Sequence, residues 1–408
     1  MTGIGRRFER TTISWSQGLA DAVALFLSLR VLFALVALYV WWAGTSVPPP
    51  CHFELARNGW LTLPPLAQDG ASFPLVGVWQ RWDACWYTKI ATFGYEPGVD
   101  SVNFWPLFPV LTGIVGRLLG GAMALGGLVV AGAGYIAAMT GLHRLVARDF
   151  DGDVAFRTVV AISIFPTAFF FFAPFTESLF LATAVWAIVG ARERRWWLAA
   201  GAALLASLTR IQGVFLAFPI GWELLVAAGL LEWRPGRDLR AWWPRAREHL
   251  AGVAAVVAPG AGFLGFLAYS SATVGMTPLD TQDAWGGKEF FPPWDVAAAS
   301  WAWAVERHDP LQALNLATLV LFACVTIAGL RRVPFAYSLF ALPQIALLAT
   351  RIQPTPLTST ARYLLVVFPV FVILAQVEGR NLRLAWLIGS VLFLAVLLGS
   401  FLQGNYVA

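Results

Sequence analysis

The sequence predicts an all-α polytopic membrane protein, and three observations carry that prediction. Of the 408 residues 58% are hydrophobic and 12% charged, where a soluble domain carries roughly 25% charged residues. Tryptophan and phenylalanine are abundant, at 20 and 30 copies, as expected of side chains at membrane interfaces and between helices. The arginines behind the net charge of +5 gather in short runs between apolar stretches, so the charge reports orientation rather than nucleic-acid binding. No soluble domain, repeat or low-complexity tract interrupts the pattern, and residues 1–408 read as a single integral membrane domain.

The elements follow in order. Arg6, Arg7 and Arg10 precede a long apolar run with no small-residue cleavage site, which reads as a cytoplasmic tail and a first span rather than a signal peptide. That span runs from Ala22 to Trp42 and contains Arg30, expected in a buried structural contact. Pro48-Pro49-Pro50 then falls in an extracytoplasmic loop over 44–104, expected to carry interfacial helices. Phe104 to Leu119 is amphipathic and reads as partly interfacial; a firm span follows from Ala122 to His143. Basic loops at Arg144 to Arg157, Arg192 to Arg195, Arg234 to Arg247, Arg331-Arg332 and Arg380 to Arg383 all fit the cytoplasmic side. Successive inner loops are about 35 residues apart, enough for two short crossings. Outer turns then fall at Pro174 to Glu177, Thr209 to Gly213 and Arg351 to Arg362, with a second large outer loop over 275–310. The sum is about eleven spans.

The chemistry-bearing residues fall in these outer segments. Read as a helix at about 100° per residue, Trp79, Trp82, Trp86 and Ile90 share one arc with Asp83. An acid on an apolar face is costly and therefore a functional candidate; pairing with Arg81 or capping a helix is the structural alternative. Glu177 follows Pro174 and Thr176 at an expected helix start, where the dipole favours an acid by about 0.3–1 kcal/mol, so structural and functional readings stand side by side. Arg210 lies too far from the inner basic loops to reach them and calls for a phosphate or a carboxylate. Glu177 as that carboxylate would make both structural. Arg362 is read either as an interface anchor or as a phosphate ligand, and Gln282 and Trp285 as a possible sugar contact. Cys51 and Cys85 either pair in an oxidising compartment or remain thiols. The four histidines are scattered, so neither metal nor cofactor is expected. A carboxylate as general base with arginines on a phosphate suits displacement of a lipid phosphate from a sugar by an alcohol. A single base acting on the acceptor implies inversion at the anomeric carbon.

Six segments resemble the PIG-V family of mannosyltransferases and its bacterial relatives, of the GT-C class of multi-spanning glycosyltransferases. They are Arg81-Trp82-Asp83 with Trp86-Tyr87 and Gly94-Tyr95; Phe104-Trp105-Pro106-Leu107-Phe108-Pro109; Phe165-Pro166 with Phe175 to Phe180; Leu208-Thr209-Arg210 with Gly213; Gln282 with Trp285; and Arg362 to Leu365 with Pro369. They stand in the family's order from Arg30 to Ala375. The resemblance implies a GT-C architecture and transfer of mannose from polyprenyl-phosphate-mannose to the hydroxyl of a lipid-linked or glycolipid acceptor, without a metal. By it Asp83 is the base, Arg210 and Arg362 hold the donor phosphate, and Arg81, Trp82, Trp86, Tyr87, Glu177, Gln282, Trp285 and Tyr363 are substrate contacts. The chain departs from the family at Phe175, often Tyr, and at Ile211-Gln212. The expected location is a plasma membrane with the site on the extracytoplasmic side. A flippase of lipid-linked sugars, a GT-C enzyme for another sugar and a non-catalytic lipid- or glycan-binding scaffold are the competing readings.

Overall fold

The computed structural model describes residues 15–45, 51–55, 59–62, 72–97, 100–230, 250–281, 289–352 and 355–407. The first span is α1 (Trp15–Trp42). The loop after it holds a hairpin that the all-α reading did not anticipate, β1 (His52–Leu55) antiparallel to β2 (Gly59–Thr62). Two short helices follow, α2 (Ser72–Leu75) and α3 (Asp83–Phe93). Next come α4 (Leu107–Leu118), α5 (Met123–Asp149), α6 (Gly152–Ser163), α7 (Glu177–Arg192), α8 (Trp196–Ser207) and α9 (Ala217–Ala227). The chain continues through α10 (Leu250–Val274), α11 (Pro293–Glu306), α12 (Pro310–Gly329) and α13 (Phe335–Leu348). It closes with α14 (Thr360–Leu364), α15 (Phe368–Ala375) and α16 (Arg380–Leu402).

Among the described residues, five helices, α1, α5, α10, α12 and α16, are long and apolar enough to cross a bilayer, and α4, α8, α13 and the stretch Ile211–Ala227 are shorter apolar helices. The protein is therefore a multi-pass membrane protein. The expected eleven crossings require the shorter helices to cross in pairs. Without lipid competing for them, such helices associate through close backbone contact at small residues. A Cβ on Gly126 of α5 would lie 2.7 Å from Gly116 N and 2.8 Å from Thr112 O of α4, and one on Gly134 would lie 2.9 Å from Leu179 N of α7. α5 is thus clamped between α4 and α7, and its glycines set where the first turn of α7 lies.

Most charge lies towards the helix ends, with Arg30, midway along α1, an exception. At the basic-loop end, Arg192 pairs with Asp149 and, at 3.0 Å, with Glu223, while the Tyr337 hydroxyl donates to Asp149 at 2.6 Å. This network joins α5, α7, α9 and α13. Between Glu177 and Arg192 no residue of α7 is ionisable. An apolar groove of about 650 Å³ runs between α4, α5, α7 and α8. Leu111, Val130, Leu179, Ala182, Trp186 and Leu205 are among its walls.

Gly126→Ala and Gly134→Ala should each lower stability by about 1–3 kcal/mol through overpacking. Gly201→Ala, whose added Cβ meets nothing within 4 Å, should leave the melting temperature of the detergent-solubilised protein unchanged. Equal melting of all three variants would contradict the clamp.

Candidate active site

The three turns expected on one face do converge. Asp83 is the first residue of α3, Glu177 the first of α7, Arg210 follows α8, and Arg362 lies in α14. Asp83 therefore sits at the positive end of a helix dipole, which favours its anion. The residue before it, Trp82, has φ +47°, an uncommon backbone conformation for a bulky side chain. It is held by packing: the indole lies 5.4 Å from the Phe401 ring and 5.6 Å from Tyr406, centroid to centroid. Cys51 and Cys85 form a disulfide, which ties the first turn of α3 to the chain just before β1.

Glu177 is the centre of the arrangement. Its Oε1 accepts from Arg362 Nε at 2.7 Å and from Arg210 Nη1 at 3.1 Å, and Arg362 Nη2 donates to Asp83 Oδ2 at 2.5 Å. The Glu177 side chain is fully buried, those of the two arginines nearly so, and Asp83 is 23% exposed. Asp83 is thus the most exposed member of the network. Aromatic rings close the rest: Arg362 lies 4.9 Å from the Phe175 ring and 5.2 Å from those of Phe170 and Tyr363, and Arg210 lies 4.8 Å from Tyr363. Burial alone would lower the Arg362 pKa, but Asp83 and Glu177 outweigh it and hold the guanidinium well above its ordinary value. Glu177 Oε2 is buried and has no hydrogen-bond partner among the described residues.

The other expected residues divide. Tyr363 borders the network as above. Tyr87 is buried between Phe104 and Phe108, at 5.4 and 5.0 Å, and burial, then Asp83 and Glu177, push its phenol up. Trp86 stacks on Phe104 at 5.2 Å and has the Lys89 ammonium 5.3 Å from its ring. Arg81 is fully buried and donates to Val78 O at 2.8 Å and to Leu402 O at 2.7 Å, a brace between the loop and the last span rather than a pair for Asp83. Gln282 and Trp285 lie outside the described residues. The tryptophan arc needs correction: α3 starts at Asp83, so Trp79 and Trp82 precede the helix. Trp79 packs on Phe401 at 5.9 Å, and Asp83 owes its position to the helix start instead. Arg30 finds a backbone carbonyl, Phe172 O at 3.1 Å, and sits over Trp79.

Three wall residues escaped the sequence reading. Phe401 touches Trp79, Trp82, Phe169, Phe170 and Phe175. The Tyr406 hydroxyl is hydrogen-bonded to that of Ser359 at 2.7 Å, and Ser359 itself has φ +57°. No local pattern marks them, since their partners lie far away in sequence. Among the described residues, no three His, Cys, Asp or Glu side chains gather as metal ligands would.

No family model and no curated protein matches the chain. Among solved structures it is similar to ArnT from Cupriavidus metallidurans bound to undecaprenyl phosphate, at 12% identity and TM-score 0.49, over 92% of this chain and 78% of that one. It is also similar to the archaeal oligosaccharyltransferase AglB from Archaeoglobus fulgidus in complex with an inhibitory peptide and a dolichol-phosphate, at 13% identity and TM-score 0.41, over 93% of this chain and 56% of that one. At these values the likeness assigns no residue and no substrate.

Glu177→Gln leaves two buried guanidinium groups short of one charge and should cost about 3–5 kcal/mol, whereas Asp83→Asn at the partly exposed end should cost about 1 kcal/mol or less. Denaturant or thermal unfolding in detergent separates the two; equal losses would remove Glu177 as the anchor. Thiol titration of the unfolded protein should find one reactive cysteine, Cys324, without reductant and three with it.

Proposed function

We propose that the chain is an inverting glycosyltransferase of the GT-C class that moves a sugar, by resemblance mannose, from a polyprenyl-phosphate donor to the hydroxyl of a lipid-linked or glycolipid acceptor. The observation that supports this reading is one partly exposed carboxylate held by an otherwise buried guanidinium network. Asp83 accepts the proton of the acceptor hydroxyl as that oxygen attacks the anomeric carbon. The bond from that carbon to the donor phosphate breaks, and its electron pair leaves on the phosphate. Arg362 and Arg210 meet the developing charge.

The network adds a condition. While Arg362 Nη2 donates to Asp83 Oδ2, that oxygen is already engaged and is not free to take the acceptor's proton. A donor phosphate competes for that guanidinium, and Arg362 keeps its Nε contact with Glu177 as it turns. Donor binding then releases Asp83 for the acceptor, which makes the reaction ordered. No step needs a metal, because two guanidinium groups face the phosphate.

The Cys51–Cys85 disulfide favours an oxidising compartment and hence the extracytoplasmic side for Asp83. The flippase reading is disfavoured by the absence of ionisable residues along α7 between its two ends.

The test is transfer of radiolabelled mannose from polyprenyl-phosphate-mannose into membrane lipids by the native protein and by Asp83→Asn at equal abundance. Native transfer falling by about a thousandfold or more in the variant supports a general base acting within a positioned site. Equal transfer by both removes Asp83 from the mechanism. If mannose is inert and another polyprenyl-phosphate sugar is transferred, the sugar changes and the class stands.

A further inference from the structure

The helix α11 has three distinct faces, and two of them face something other than protein. At about 100° per residue, Trp294, Ala298, Trp301 and Val305 fall within an arc of about 60°. Trp294, Trp301 and Val305 are 72%, 63% and 52% exposed, and Phe290 just before the helix is 66% exposed. Val296 and Ser300, on the opposite side, are fully buried. Asp295 and Glu306 occupy a third arc roughly 100° from the tryptophans, and both are exposed.

The contacts on the buried side place the helix. Gln312 Nε2, in the first turn of α12, donates to the Ser300 hydroxyl at 3.0 Å. Phe291 N donates to Thr350 O at 2.9 Å, just past the end of α13. α11 therefore lies across the ends of a membrane span and a short apolar helix, on the side where Asp83 and Arg362 meet. α12 itself exposes Val320 and Ile327, as a lipid-facing span does.

We propose that α11 lies in the plane of the membrane at the lipid–water boundary of that leaflet, with Trp294, Trp301 and Val305 among the lipids and Asp295 and Glu306 in water. The occupant of the apolar arc is lipid because the arc adjoins helices whose outer residues already face lipid. Tryptophan suits that depth, with an apolar ring and one N–H donor. A helix wholly in water would leave two indoles exposed beside each other; a helix wholly in lipid would immerse two carboxylates.

The inference sets the depth of the site. Asn315 Oδ1, in the second turn of α12, accepts from Ala361 N at 2.9 Å. At about 1.5 Å per residue, the Arg362 segment lies roughly 8 Å below the first residue of α12. The acid–arginine network thus lies on the hydrocarbon side of the boundary, a short distance below the level of the lipid headgroups. This holds whatever reaction the chain catalyses.

The test uses full-length protein in phosphatidylcholine nanodiscs, in a Cys324→Ser background, with an environment-sensitive fluorophore on Trp301→Cys or on Glu306→Cys. A shallow-doxyl lipid should quench the Trp301→Cys probe at least about twofold more than the Glu306→Cys probe, and more than a mid-chain-doxyl lipid does; aqueous iodide should show the reverse order. Equal iodide quenching at both positions would put α11 in water. Stronger mid-chain quenching would bury it as a span, and no quenching by either agent at Trp301→Cys would mean that protein covers the arc; each overturns the proposal. Both variants must melt with their parent; if Trp301→Cys does not, Val305→Cys on the same arc carries the measurement.

Discussion

The carboxylate of Glu177 is the group on which the rest of the site depends. A fully desolvated acid is tolerated only with its charge met, and removing one partner of such a pair costs several times what an exposed pair contributes. Two guanidinium groups therefore have to reach one oxygen from different segments, Arg210 after α8 and Arg362 in α14. That requirement brings the three turns together. The surrounding phenylalanines exclude water, and the close approach of Gly134 to Leu179 holds the first turn of α7 where both arginines meet it. Asp83 is attached to this frame through Arg362 and keeps its exposure because its own helix begins at the surface of the cluster.

The two charged clusters divide the work of the fold. The one built from Asp149, Arg192, Glu223 and Tyr337 staples helix ends on the side of the basic loops. The other, around Glu177, is lined by aromatic rings and open at one carboxylate. Between them α5 and α7 present mostly small and apolar side chains, so that their backbones approach closely.

Much of this was readable from residue order. Hydropathy marks the spans, and arginine-rich loops separate turns that do share one face, which is why Glu177, Arg210 and Arg362 were nominated and why Glu177 was among the partners considered for Arg210. Of the two features that single out Asp83, the motif around it and the periodic arc, the arc does not survive: it assumes one continuous helix, whereas the backbone turns at Trp82 and a new helix begins. Periodicity does not reveal a φ reversal at a tryptophan. Phe401, Tyr406 and Ser359 were not readable, because each matters through a contact hundreds or tens of residues away and lies in an unremarkable local pattern. The choice between thiols and a disulfide at Cys51 and Cys85 likewise needed the spatial approach of the hairpin segment to α3.

The bond from Arg81 to the carbonyl of Leu402, 321 residues further along, has a consequence for biogenesis. One wall of the cluster is the end of the last membrane helix, and the loop bearing Asp83 leans on it. A ribosome releases the first loop long before the segment that braces it exists. During synthesis the early loop must wait, exposed on its side of the bilayer, until the final helix is inserted and docks. Chains interrupted before α16 would carry both acids and both arginines yet lack the brace and the aromatic wall. The order of translation thus keeps the site unfinished until α16 has been made.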